Sequence, residues 1–103
     1  DKYFMKVFLS LGKSNKTNEE IIEDLKNFSS VVIEVLKEEE IKLVSNKNYY
    51  EEEGKDDDYY MKKSMNIMDG CDLVVFHPDF ENYRECLLDE RVADLQGINK
   101  FYL

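Results

Sequence analysis

Four carboxylates crowd the last third of the chain. They are Asp79, Glu81, Glu85 and Asp89, in the stretch DLVVFHPDFENYRECLLDERVADLQGINKFYL that runs from Asp72 to Leu103. Glu85 and Asp89 are four residues apart and share a face if the segment is helical. Two carboxylates at one place can do glycosyl chemistry. One attacks or steadies an oxocarbenium-like sugar carbon, and the other handles the leaving group's proton. The plainer reading is solvated helix charge paired with Arg84 or Arg91.

A second candidate lies near the start, at Gly12-Lys13-Ser14. This is neither a Walker A loop nor a GxGxxG fingerprint. Its backbone N–H groups, with Lys13 and the start of a following helix, can still cradle an anion; the alternative is a plain connection. His77 stands directly before the single proline, Pro78, and the residue before a proline favours an extended turn. The two cysteines, Cys71 and Cys86, lack CxxC spacing, and two thiols with one histidine make a poor zinc site. No metal or cofactor is expected. Both thiols read as buried or half-buried groups in a reducing cytosol.

These residues need elements to hold them. Tyr3 to Leu9 is short, aromatic and β-branched, and reads as a buried strand. Ser10 to Lys16 is a loop. Thr17 followed by Glu20 has the capping-box form. Apolar residues at 21, 22, 25, 28, 32, 35 and 36 predict a helix of about five turns. The run Glu38-Glu39-Glu40 ends it poorly, since acids are unfavourable at a helix C-terminus. Ile41 to Ser45 reads as a second strand. The acidic segment 46–58 shows no periodicity and is expected to be mobile. Tyr59 to Asp69 predicts a helix, capped by Asp56, Asp57 or Asp58 and stopped at Gly70. Leu73 to Phe76 is a buried-type strand, His77 to Tyr83 a loop, Arg84 to Gln96 a helix, and Ile98 to Leu103 a last strand. Alternating elements with short apolar strands predict a three-layer α/β/α domain, flavodoxin- or Rossmann-like, with four or five parallel strands. Ligands in such sheets sit past the carboxyl ends of the strands, where the carboxylate-rich loop falls.

The 103 residues make one domain, 1–103. A net charge of −9, from 14 basic and 23 acidic residues, makes DNA or RNA a poor partner, because phosphate binding needs clustered basic surface. An anionic membrane is disfavoured for the same reason. No apolar run approaches the ~20 residues of a membrane span, and no signal-peptide pattern is visible. A cytoplasmic protein is expected. Four residues precede Met5, and the natural start is either at them or at Met5.

The ordered set of motifs resembles the nucleoside 2-deoxyribosyltransferase-like superfamily, above all its small bacterial and phage members. Lys6 to Ser10 reads KVFLS, as in the family's opening KVFLSGPMTG. Tyr60-Met61-Lys62-Lys63 is similar to YMRR, Cys71 to Val75 to CDAVV, and Phe80-Glu81-Asn82 to WEN, with Arg84, Ala93 and Gly97-Ile98 also in place. The match is gapless over the last 44 residues, Tyr60 to Leu103, and covers the middle only by element order. The resemblance implies a nucleoside or nucleotide pocket at the strand ends, often completed by a neighbouring subunit, hence a homo-oligomer. The residues expected to line the ligand are Ser10, Gly12, Lys13, His77, Asp79 and Glu81. In active members a Glu early in the last helix attacks C1′ of the deoxyribose, and an Asp on the preceding helix assists the leaving base.

Here the nucleophile's place holds Asp89, one methylene shorter, and the assisting Asp's place holds Ser64. The Gly-Pro after the first strand falls on Leu11-Gly12. Small residues that would approach a phosphate or sugar fall on Tyr83 and Glu85, and a Glu at 85 repels a phosphate. Asp72 is retained. The expectation is a protein that binds a nucleoside or nucleotide or cleaves its N-glycosidic bond, with Asp89 as nucleophile and Asp72 orienting the substrate. The alternative is a catalytically inactive oligomeric binding module of the same fold.

Overall fold

The computed structural model describes residues 4–37, 40–46 and 54–103. Four strands and three long helices alternate: β1 (Met5–Ser10), α1 (Asn18–Leu36), β2 (Ile41–Val44), α2 (Asp57–Met68), β3 (Leu73–Phe76), α3 (Arg84–Gln96) and β4 (Asn99–Tyr102). A single 3₁₀ turn, Phe80–Asn82, interrupts the loop between β3 and α3. The sheet order is β2-β1-β3-β4 and all three pairings are parallel. This is the small Rossmann- or flavodoxin-like α/β fold read from the sequence, with four strands.

Period-two alternation sorts the strands' side chains onto two faces. Val7, Leu9 and Val75 pack with Phe28 and Val32 of α1. Phe8, Val74 and Phe76 pack with Met68 of α2 and with Val92 and Ala93 of α3. One helix therefore covers one face and two helices cover the other. β1 and β3 are central and buried on both sides. The edge strand β4 leaves Phe101 and Tyr102 partly exposed, and Tyr102 stacks on Phe76 with ring centroids 5.1 Å apart.

Local signals set most boundaries. The capping box is formed in full: Thr17 Oγ1 accepts from the Glu20 N–H and the Thr17 N–H donates to Glu20. The helix ends at Leu36, where Lys37 turns left-handed at φ 55°. Asp56 caps α2 by accepting from the Tyr59 N–H at 2.9 Å, so α2 starts two residues before the expected Tyr59. β3 and α3 have the expected bounds. β1 is shifted toward Ser10, and β2 and β4 are each shorter than expected.

The apolar face of α1 is narrower than its sequence pattern. Ile21, Phe28 and Val32 are buried, while Ile22 and Val35 are exposed. One sheet contacts only about a third of the helix circumference, and those two residues flank the buried row. Of the segment expected to be mobile, residues 47–53 lie outside the described residues, as do 1–3 and Glu38-Glu39.

Candidate functional site

The strand order fixes where a ligand crevice opens. The connection from β1 leads to β2 on one side, and that from β3 leads to β4 on the other. The gap between the carboxyl ends of β1 and β3 is the topological switch point. Ser10 and Phe76 pair across it.

Asp89 reaches this point from the second turn of α3. Its two oxygens are held separately: Ser10 Oγ, at the end of β1, donates to Oδ2 at 2.8 Å, and Ser64 Oγ, on α2, donates to Oδ1 at 2.6 Å. Asp89 and Lys13 are only 4% and 2% exposed. Burial raises the Asp89 carboxyl to about 6, against the pull of Lys13 and the two serines. Burial also lowers the Lys13 ammonium, opposed by the charges of Asp89 and Glu85. The Lys13 Nζ donates to the Leu11 carbonyl at 3.1 Å. Cys86, beside them on α3, is pushed up to about 12 by burial, so it is a neutral thiol at ordinary pH. The thiol therefore stays neutral, while the raised carboxyl can change charge near neutrality.

The first β-α loop is an anion cradle, and it is full. Glu85, in the first turn of α3, places Oε2 where it accepts from the backbone N–H of Lys13 at 2.7 Å and of Ser14 at 2.8 Å. Ser14 Oγ lies 2.9 Å from both carboxylate oxygens and donates its one proton to either. Gly12 is required for a steric reason, since a Cβ there would lie 2.2 Å from the Tyr83 ring. Lys16 in turn sits over that ring, 5.0 Å from its centroid. Tyr83 and Glu85 therefore clamp the loop that the sequence offered to a ligand.

A cavity of about 10 Å³ lies among Lys13, Asn46, Tyr60, Ser64, Glu85 and Asp89. It has room for about one water.

Of the residues expected at the site, Ser10, Gly12, Lys13 and Asp89 come together. His77 and Asp79 pair with each other, Nδ1 to Oδ1 at 2.5 Å, and the imidazole meets Phe28 edge-on. His77 lines a separate groove of about 340 Å³ with Phe28, Val31, Pro78 and Leu103. Glu81 is exposed on the 3₁₀ turn. Asp72 is not brought to Asp89. It precedes β3 at the amino edge of the sheet, where Oδ2 accepts from the Lys6 N–H at 2.8 Å. It lines a larger open groove there, about 560 Å³, with Gly97 and Asn99. Size does not make that groove the site, because the strands' carboxyl ends and the perturbed carboxylate are at the other edge.

The sequence marks Ser64 only as a residue in the assisting acid's place; its bond to Asp89 is not evident from the sequence. The available signal was its place in a buried row with Tyr60 and Met68, each four residues apart. A small hydroxyl in such a row needs a buried partner. Among the described residues no group of three or more His, Cys, Asp or Glu is placed to hold a metal, and no helix is long and apolar enough to cross a membrane.

No protein-family model matches the chain, and no curated protein or solved structure matches it significantly.

Proposed function

We propose that the chain is a nucleoside 2-deoxyribosyltransferase-like domain that binds a nucleoside with its sugar against Asp89 and breaks the N-glycosidic bond there. One observation carries this reading: a buried carboxylate, raised to about 6, at the switch point between β1 and β3. In its ionised form an Asp89 oxygen attacks C1′. The C1′–N bond breaks, and the leaving base keeps the electron pair and takes a proton from solvent. A second base or water then attacks C1′ and releases Asp89. Ser10 and Ser64 orient the carboxylate, and Lys13 supplies positive charge beside it.

Ser64, in the assisting acid's place, holds Asp89 instead of protonating a leaving base, which implies slow turnover. Free base released from deoxynucleosides, and lost in Asp89→Asn, is the expected result. No free base, with no thermal shift by any nucleoside, discards the reading. The second reading is the inactive binding module, favoured by Asp89 already holding two hydroxyl donors. It predicts a nucleoside-dependent shift, or assembly, without product. A homo-oligomer belongs to both readings. Ile22, Val31, Ile33 and Val35 of α1, 44–59% exposed, supply apolar surface for a second copy, and sedimentation of the intact chain reads it.

A further inference from the structure

We infer that Glu85 is an internal anion: it occupies the cradle of the β1–α1 loop, so the site takes unphosphorylated nucleosides and rejects phosphorylated ones. The nucleoside half of this inference rests on the function proposed above. The cradle half stands on geometry alone.

Two successive backbone N–H groups and one hydroxyl converge on a single carboxylate, at 2.7, 2.8 and 2.9 Å. Converging main-chain N–H groups of this kind bind anions, and a carboxylate oxygen and a phosphate oxygen make the same demand on them. The loop's affinity for an anion is therefore already expressed, with the anion supplied by the chain itself. Glu85 is 5% exposed, and the buried Lys13 ammonium attracts it.

A free phosphate has two obstacles. It needs donors that are in use, and it meets a like charge in a partly dehydrated place. The competing carboxylate is fixed to a packed helix, at an effective concentration that a dilute anion does not match. Tyr83 closes the approach by lying on Gly12. Position 85 thus decides whether the loop is open to an outside anion: a carboxylate keeps a phosphate out, and a small neutral residue would admit one.

The test is calorimetric titration of the wild type and Glu85→Ser with inorganic phosphate, ionic strength being held constant with chloride. The expected result is no measurable binding by the wild type and binding at least about tenfold tighter by Glu85→Ser. Equal phosphate binding by the two proteins, or none by a folded Glu85→Ser, overturns the inference. Should Glu85→Ser be unfolded in chloride, its circular dichroism in phosphate becomes the readout. Recovery of the folded signal supports the cradle, and failure to recover overturns it. Thermal shifts of the wild type with a deoxynucleoside and its 5′-monophosphate test the other half: a shift by the nucleoside alone is expected, and a shift by the monophosphate alone contradicts it. A phosphate gain in Glu85→Ser with no response to nucleosides keeps the cradle and discards the nucleoside, so the two failures are distinguishable.

Discussion

Asp89 is a buried carboxylate held between two hydroxyls, and burial shifts its titration strongly. Burial raises its carboxyl from 3.8 to about 6. A raised pKa in the folded state means that the folded protein holds the proton more tightly. The resulting stability is fully present below about pH 4 and is lost as pH rises through 6. The loss through this group is on the order of 3 kcal/mol. Lys13 acts in another window: its ammonium is lowered from 10.5, so its contribution is present above that value and is lost as pH falls through the lowered one. Chemical denaturation of the wild type and Asp89→Asn between pH 4 and 7 separates them. The difference in stability between the two proteins should change through this range, because only the wild type carries the Asp89 proton. A constant difference would mean that Asp89 does not titrate there.

The helices and strands show why some of this was readable and some was not. Signals that act over a few residues were reliable. Thr17 and Glu20 announced the start of α1, and Thr17→Ala is expected to cost about 1 kcal/mol, read as a shift in the denaturation midpoint. Gly97, at φ 67°, ended α3 where its lack of a Cβ matters. Contacts made across the fold were not written in any local pattern. Ser64 and Asp89 are 25 residues apart and Ser10 and Asp89 are 79 apart, and only the packing of α2 and α3 on one face of the sheet brings them together. The same holds for Glu85. Its charge was readable as hostile to phosphate, but its place inside the Lys13–Ser14 cradle depends on how α3 leaves the 3₁₀ turn at Phe80–Asn82. Asp72 shows the converse. Its match to a motif was clear, yet a residue before a strand stands at the amino edge, the length of β3 away from the switch point.

Across the whole molecule, a sheet covered by one helix on one face and two on the other puts the site and the core in series. Phe8 is fully buried in the centre of β1, two residues before Ser10. Phe8→Ala should cost about 3–5 kcal/mol, a large share of the ~5–15 kcal/mol typical of a domain, and equilibrium unfolding reads it. The site inherits its rigidity from that core, which is how a serine at a strand end can hold a buried carboxylate in place. In the proposed function, Asp89 faces the sugar of a bound nucleoside and attacks it. The most direct measurement is the intact mass of the protein mixed with a 2′-fluorinated nucleoside, whose fluorine slows release of a covalent sugar ester. The expected result is one added sugar, mapped to Asp89 by peptide digestion and absent in Asp89→Asn. An adduct on another residue, or no adduct from a nucleoside that demonstrably binds, would contradict it.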